Sequence, residues 1–349
     1  MRSQGVGMSR QPARAAVIKD VARLAGVSHQ TVSRVLNNHD SVRQETRERV
    51  LRAVEQLHFR PNALARGLAR RRSGAIGVVS FDTLLYGPAA TLLGVERAAR
   101  RVGYGISIVA VERLDRDGLA EAVDQLVAQS VAGLVILAPV TTAVAAVRGL
   151  PVGVPAVVLE SDQVDGLPSV SVDQRAGARL AVEHLLGLGH RTVWHLSGQP
   201  DWIEARSRID GWRQSLAAAG RVAPPVISGD WSAQSGYAAG CELAARRDVT
   251  AVFCANDQQA LGMLRAFRER GVRVPEDVSV VGFDDIPEAA YLSPPLTTVR
   301  QDFDEVGRRC LGQLLELLEP GERPAGAGHP AVAPTLVVRA STGPAPVRP

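Results

Sequence analysis

Cysteine is scarce in this 349-residue chain, with Cys241, Cys254 and Cys310 far apart and odd in number. Without CxxC or Cys/His ligand spacing, they exclude a disulfide framework and a zinc site, and read as buried or inert thiols in a reducing compartment. No apolar run reaches the 18 residues that would suggest a membrane span. The opening MRSQGVGMSRQPARAA is basic but has no apolar stretch of the kind a secretion signal needs, so residues 1–15 read as a disordered leader. The motifs of common chemistries are missing too. There is no GxxxxGK[ST] phosphate loop, no GxSxG elbow and no GxGxxG after the first strand. His184, His190 and His195 are scattered over a helix, its exit and a strand, the pattern of structural histidines and not of ligands or bases. The chain therefore reads as a non-enzyme, with no catalytic residue, no metal and no cofactor to assign. No short-period repeat is evident, and the tail GPAPVRP carries no leucine heptads of the kind that build higher oligomers.

What the chain does have is a charge asymmetry and two kinds of periodicity. Residues 1–72 hold 15 Lys or Arg against 5 Asp or Glu, whereas residues 73–349 hold 25 against 31. A basic module joined to an acidic body is the electrostatic footprint of a nucleic-acid reader tethered to something else. Within the module, IKDVARLA places Ile18, Val21, Ala22 and Ala25 on one helical face, and Gly26 stops the helix. Ser28 suits the N-cap of a second short helix, HQTVSRVLN, whose Val32, Val35 and Leu36 face inward. A third helix, in VRQETRERVLRAVEQLHF, carries Val50, Leu51, Val54 and Leu57 as its apolar stripe. Three short helices with a glycine turn between the first two make the helix-turn-helix pattern. The exposed face of the second helix then carries His29, Gln30, Ser33 and Arg34. Gln pairs bidentately with adenine and Arg with guanine, which makes this a base-reading surface. Arg60 and Pro61 close the unit, and NALARGLARRRSG follows as a basic, weakly helical connector.

From Gly74 the period changes. Apolar β-branched runs (AIGVVSF, GISIVAV, AGLVILA, PAVVLE, TVWHLSG, TAVFCAND, VSVVGFDD) alternate with amphipathic stretches. Ala89 to Arg101, Gly118 to Ala128, Arg175 to Leu186, Arg206 to Ala219, Gln234 to Arg246 and Gln258 to Arg268 all fit helices. Continuous apolar runs with helices between them predict parallel strands covered on both faces. Ligands of such sheets bind beyond the carboxyl ends of the strands. The polar residues ending several runs, Glu160, Asp173, Asn256, Asp257, Asp284 and Asp285, therefore converge on a cleft.

The segment DVARLAGVSHQTVSRVLNN closely resembles the signature of the LacI/GalR family of bacterial transcriptional repressors. RPNALARGLA resembles that family's hinge. AVEHLLGLGH, RIDGW, GDWSAQSGY, CANDQQALGMLRA and DVSVVGFDDIPEAAYLSPPLTTVRQDF follow in the family's order through the core. The resemblance implies a leader (1–15), an all-α helix-turn-helix domain (16–60) and a hinge (61–73). An α/β, periplasmic-binding-protein-like core (74–343) of two parallel-sheet subdomains follows, then a tail (344–349). Subdomain one would take residues 74–172 and 302–331, subdomain two 173–301 and 332–343, with the chain crossing near 172, 301 and 331.

The same resemblance implies a cytoplasmic repressor, dimeric and without membrane association, that releases double-stranded operator DNA on binding a sugar, a galactoside or related glycoside. Arg208, Trp231, Asn256, Asp284 and Gln301 fall where the family lines its inducer pocket. A carboxylate and a guanidinium bind vicinal hydroxyls bidentately, amides donate and accept, and an indole offers its face to a pyranose. Trp202 and Glu204 stand where lactose-responsive members have small residues, Leu137 where they have an asparagine, and Glu160 where they have an aspartate, so the pocket is related but not the same. On the DNA side the resemblance adds Ser28, Thr31, Asn37 and Asn62 to the reading set and aligns Leu68 with the minor-groove lever. His29 stands in place of a tyrosine. A corepressor-dependent or activating regulator is the alternative within the family. A free sugar-binding transport protein would share the core but lack residues 18–72.

Overall fold

The computed structural model describes residues 16–36, 41–57, 59, 74–81, 84–111, 113, 115–148, 153–159, 167–319 and 331–347. The chain divides into two compact units at the Arg72–Ser73 junction.

The first unit consists of α1 (Ile18–Ala25), α2 (His29–Leu36) and α3 (Gln44–Gln56). Gly26 closes α1 in the left-handed region, φ 64°, while its own N–H and that of Val27 bond back to the carbonyls of Arg23 and Ala22. Two residues later the Ser28 hydroxyl accepts the Thr31 N–H at 3.1 Å and caps α2. The turn is thus fixed by one glycine and one serine. Val21, Ala22, Ala25, Val32, Val35, Val50 and Ala53 make the small core. The expected stripe of α3 needs correction, because Leu51 is 49% exposed and Ala53 lies inside instead. Counting i, i+3, i+4 and i+7 from Val50 gives Ala53, Val54 and Leu57, and a residue at i+1 points about 100° away.

The second unit contains two sheets. The first runs β2-β1-β3-β4-β5, all parallel, from β1 (Ala75–Phe81), β2 (Gly105–Val111), β3 (Leu134–Leu137), β4 (Ala156–Leu159) and β5 (Ser169–Val170). One face is covered by α5 (Arg116–Ala128) and α6 (Thr141–Arg148), the other by α4 (Tyr86–Arg101) and α11 (Phe303–Leu318). The helices α4 and α11 meet at glycines: a Cβ on Gly94 would lie 2.1 Å from the Phe303 carbonyl oxygen.

The second sheet follows the order β11-β10-β9-β8-β6-β7. It is built from β6 (Trp194–Ser197), β7 (Ile227–Ser228), β8 (Ala251–Cys254), β9 (Ser279–Asp284), β10 (Thr297–Arg300) and β11 (Thr335–Val337). Helices α9 (Ala233–Leu243) and α10 (Asp257–Glu269) cover one face, α7 (Gln174–Gly187) and α8 (Ile203–Ala218) the other. The fully buried runs LVIL, AVVL, WHLS, AVFC and SVVGFD are the central strands. The edge strand β2 is half exposed. One pairing departs from a purely parallel design, since β11 runs antiparallel to β10. This strand enters from a crossover and not from a βαβ connection, so nothing imposes the parallel sense on it.

Three passages link the sheets. The chain leaves β5 at Val170 and enters α7 at Gln174, and it leaves β10 at Arg300 and enters α11 at Phe303. It returns past Val332, which pairs with Val172, into β11. A further tie holds the sheets together elsewhere. Val140 and Trp202 form an antiparallel bridge, flanked by Ile203 N–H to Pro139 O at 2.8 Å and Thr141 N–H to Asp201 O at 3.3 Å.

Candidate functional site

In the first unit, α2 presents Ser28, His29, Gln30 and Arg34 to solvent, with Thr31 and Ser33 half-buried beside them and Val32 and Val35 beneath. The side chains able to read base edges therefore share one face. Asn37, Asn62 and Leu68 lie outside the described residues, as does the connector at 61–73.

In the second unit the expected effector residues gather where the two sheets face each other. Arg208, on the second turn of α8, is 3% exposed and is held by five neighbours. Its Nε donates to Gln174 Oε1 at 2.9 Å, and its Nη1 donates to the Ala255 carbonyl. Its guanidinium lies 3.8 Å from the centre of the Phe283 ring and 5.5 Å from that of Trp231. Its Nη2 stands 3.9 Å from Asp284 Oδ1. The chain of polar contacts then closes on itself: Gln174 Nε2 donates to Gln301 Oε1 at 2.8 Å, and Gln301 Nε2 donates to Asp284 Oδ1 at 2.7 Å. Burial pushes the Asp284 carboxyl up to about 6, against the pull of Arg208 and the Gln301 hydrogen bond.

The backbone is unusual at the same place. Asp284 has φ 109° and Trp231 φ 72°, values that side-chain-bearing residues rarely adopt. Such outliers concentrate at ligand sites. Asn256 holds the Trp231 segment in place, its Nδ2 donating to the Trp231 carbonyl at 3.0 Å, while its Oδ1 caps α10 by accepting the Gln259 N–H. Trp202 stands edge-on to Trp231 with centroids 5.5 Å apart, and its Nε1 donates to Gln199 Oε1. The Trp231 indole passes so near Gly198 that a Cβ there would lie 2.1 Å from the ring. Its own Nε1–H is buried without a partner among the described residues.

A cavity of about 260 Å³ adjoins this network. Val172, Ile203, Phe303 and Val306 are among its apolar lining residues, and Asp173, Gln174, Arg175, Glu204, Ser207 and Gln301 among its polar ones. Glu204, one turn before Arg208 on α8, therefore lines the site. Glu160 lies outside the described residues, and Leu137 is fully buried in β3.

Of the described strand-end polar residues expected to converge on a cleft, Asn256 and Asp284 stand at the network and Asp173 lines the adjoining cavity. Asp173 caps α7. Asp257 is internal, accepting from Thr298 Oγ1 at 2.6 Å and Ile286 N at 2.9 Å. Asp285 pairs with Arg300 and Arg339 at 2.6 Å each. Gln174 and Phe283 were missed by reading the sequence. Gln174 sits beside a crossover, and Phe283 is hidden inside an apolar run whose outward and inward residues look alike. The histidines pack structurally: His190 bonds Thr250 and Ser279, and His195 stacks on Phe253 at 4.6 Å, burial lowering its pKa to about 4. Among the described residues no group of three or more His, Cys, Asp or Glu could hold a metal, and no helix is long and apolar enough to cross a membrane.

Comparison with known proteins places these features together. Residues 17–62 match the family model described as bacterial regulatory proteins, lacI family, and residues 182–342 match a periplasmic binding protein-like domain. The lactose operon repressor of Escherichia coli (strain K12) is 37% identical over 327 residues, 93% of this chain and 89% of the relative. A crystal structure of the lac repressor dimer bound to operator and the anti-inducer ONPF superposes with a TM-score of 0.83 at 37% identity, covering 95% of this chain and 100% of that one. The complex of the transcriptional regulator CelR with cellobiose gives a TM-score of 0.68 at 31% identity, covering 93% and 99%. Those lengths take in both the helix-turn-helix unit and the two-sheet core, and on that basis the chain belongs to the LacI family of DNA-binding bacterial transcriptional regulators.

Proposed function

We propose that this protein is a cytoplasmic, dimeric transcriptional repressor that releases its operator when a glycoside, of the galactoside class, binds the cleft of its core. The observation that carries the reading is the buried chain Arg208–Gln174–Gln301–Asp284 set against Trp231. A guanidinium, a carboxylate, two amides and an indole face supply the donors, acceptors and apolar plane that a pyranose requires. The unpartnered Trp231 Nε1–H adds a donor that a ring or hydroxyl oxygen would satisfy. On the DNA side, each protomer contributes one exposed reading helix, with Ser28, His29, Gln30, Thr31, Ser33 and Arg34, and with Asn37, Asn62 and Leu68 beyond it. Two such helices call for a pseudo-palindromic site with half-sites about one helical turn apart. A relative of the same architecture is described as a dimer bound to operator, which supports this assembly.

The test is a titration of galactosides, glucosides and other glycosides that follows tryptophan emission and operator release together. Arg208→Ala serves as the control. The expected result is saturable binding that weakens operator affinity, lost in the variant. Binding of no glycoside, or equal binding by wild type and variant, removes the assignment. A glycoside that tightens operator binding instead keeps the pocket and makes the ligand a corepressor.

A further inference from the structure

The carboxylate next to Asp284 takes no part in the polar network, yet it is held from two sides. The Asp285 side chain is 6% exposed and receives two arginines at once. Arg300 Nε and Nη2 each stand 2.6 Å from its Oδ2, and Arg339 Nη2 donates to its Oδ1, also at 2.6 Å. Arg339 is fixed in turn, its Nη1 donating to the Leu296 carbonyl at 2.8 Å and its backbone N–H to Thr297 Oγ1 at 2.9 Å. Three strands meet at this clamp. Asp285 directly follows β9, Arg300 is the last residue of β10, and Arg339 lies two residues past β11.

Asp285 follows Asp284, and Arg300 precedes Gln301, so the clamp joins the immediate neighbours of both partners in the 2.7 Å hydrogen bond from Gln301 Nε2 to Asp284 Oδ1. Asp284 and Asp285 have φ 109° and 55°, two successive residues in a region that side chains disfavour. Such a conformation persists where its surroundings over-determine it. The register of β9 on β10 fixes the chain as far as Asp284, opposite Arg300, and the Ile286 N–H fixes it again by donating to Asp257 Oδ2 at 2.9 Å. Between those two points the Asp285 carboxylate is the anchor. If it lets go, the turn relaxes toward ordinary φ and swings the Asp284 carboxyl away from Gln301 and from Arg208, 3.9 Å distant. Desolvation offsets much of the attraction in a nearly buried pair such as Arg339–Asp285, so stability alone does not account for it.

We propose that Arg300 and Arg339 are positioning residues for the effector site: through Asp285 they hold the left-handed turn that aims the Asp284 carboxylate at Gln301 and at the hydroxyls of the ligand. Neither arginine touches the ligand. Both act through Asp284, so, on the glycoside reading above, their removal weakens ligand binding only as far as Asp284 contributes to it.

The experiment has a ligand-free arm and a binding arm, both on the full chain. Crystal structures of wild type and Arg339→Met without ligand should show Gln301 Nε2 out of hydrogen-bond reach of Asp284 in the variant, with the Asp284 φ outside the left-handed region. An Asp284–Gln301 pair that stays in place in the variant overturns the proposal, whatever the ligand is. Isothermal titration calorimetry with methyl galactoside and methyl glucoside then compares wild type, Arg339→Met, Asp284→Asn and the double variant. For a probe that wild type binds, Arg339→Met should weaken affinity by about tenfold, the scale of a lost hydrogen bond to a charged group. The double variant should fall within about threefold of Asp284→Asn alone, as expected of two residues acting through one contact. Losses that multiply, or an Arg339→Met of unchanged affinity, overturn the proposal. Arg300, with 55% of its side chain exposed, supplies Arg300→Met as the second variant should Arg339→Met fail to fold, with the same outcomes. Silence of wild type toward both probes counts against the glycoside reading, and the crystallographic arm still decides the clamp.

Discussion

Replacing Asp284 by asparagine should make the core more stable and the regulator less responsive at the same time. Asp284 is 6% exposed, and its carboxyl rises from 3.8 to about 6 on folding, burial outweighing the pull of Arg208 and the Gln301 hydrogen bond. The folded state therefore holds this proton more tightly than the unfolded chain does. Its contribution to stability is full below the unfolded value of 3.8 and is lost as pH rises through about 6. Two units at about 1.4 kcal/mol each put the loss near 3 kcal/mol above pH 6. Asparagine resembles the protonated acid: its Oδ1 still accepts from Gln301, and Arg208 keeps Gln174, the Ala255 carbonyl and the Phe283 ring. Neutralising position 284 also relieves Asp257 and Tyr86, both pushed up in part by its charge.

The assay is thermal or urea unfolding of the ligand-free protein at pH 7.5 and pH 4.5. Asp284→Asn should exceed wild type by about 3 kcal/mol at the higher pH, which is roughly 5 °C or more in Tm for a body of this size. Most of the gap should vanish at the lower pH. The same substitution trades a charged acceptor for a neutral amide, so effector affinity should fall by a hydrogen bond to a charged group, about 1.5–3 kcal/mol or roughly 10- to 150-fold. A variant that is less stable at pH 7.5, or a gap that does not shrink on acidification, refutes the reasoning. Either would mean that Asp284 is held ionised by Arg208 more strongly than burial opposes it.

Gly198→Ala would place a methyl 2.1 Å from the buried Trp231 ring, and should cost about 1–3 kcal/mol of core stability by overpacking, read by denaturant titration, together with effector affinity read by calorimetry. Arg208→Lys should lose effector binding almost as fully as alanine, because a point charge cannot keep the fork to Gln174 and Ala255 or the stack on Phe283; near-normal titration of the lysine variant would show that only charge matters. Arg34→Ala on the exposed face of α2 should cost about 1–3 kcal/mol of operator affinity and relax discrimination at one base pair while leaving the salt slope almost unchanged; a gel-shift series in which every sequence weakens equally would reassign Arg34 to a phosphate. Leu68→Ala should weaken operator binding without altering glycoside binding, as expected of a wedge between base steps; unchanged operator affinity would leave Leu68 no such role.

How much of this was legible in the sequence follows from the range of the interactions involved. The turn between α1 and α2 could be read because Gly26 and Ser28 act on their immediate neighbours. The central strands could be read because burial on both faces leaves an unbroken apolar run. Helix α6 was not anticipated, since TTAVAAVR is rich in β-branched residues and follows a strand of the same composition. The antiparallel β11 was not anticipated either, for its sense depends on where a crossover delivers it. The resemblance singled out Arg208, Trp231, Asn256, Asp284 and Gln301, which the structure brings together, but what satisfies them was invisible. Gln174 and Gln301 meet across 127 positions of chain, and only the three-dimensional path makes one the partner of the other. Likewise Phe283 reads as one more core aromatic until Arg208 is found stacked on it.

The closed polar chain also bears on how a ligand could act at a distance. Its members are bonded to one another, so an entering glycoside exchanges hydrogen bonds more than it creates them, and each exchange is worth little net free energy. On the proposed reading, most of the affinity then comes from the indole face and the apolar wall, while the polar exchange decides geometry. Gln174 is the first residue of α7, immediately after one crossover, and Gln301 is the first residue of another. Both amides that must let go are therefore anchored on the segments joining the two sheets. A ligand that takes over their hydrogen bonds changes what holds those segments, which gives it different affinities for different arrangements of the core. Differential affinity is the one thing a ligand needs to shift an equilibrium. Moving a regulator from 1:99 to 99:1 takes a discrimination of about 10⁴-fold, roughly 5.5 kcal/mol, more than a few exchanged hydrogen bonds supply, so on the proposed reading the contacts with the indole face and the apolar wall must also differ between the two arrangements of the core.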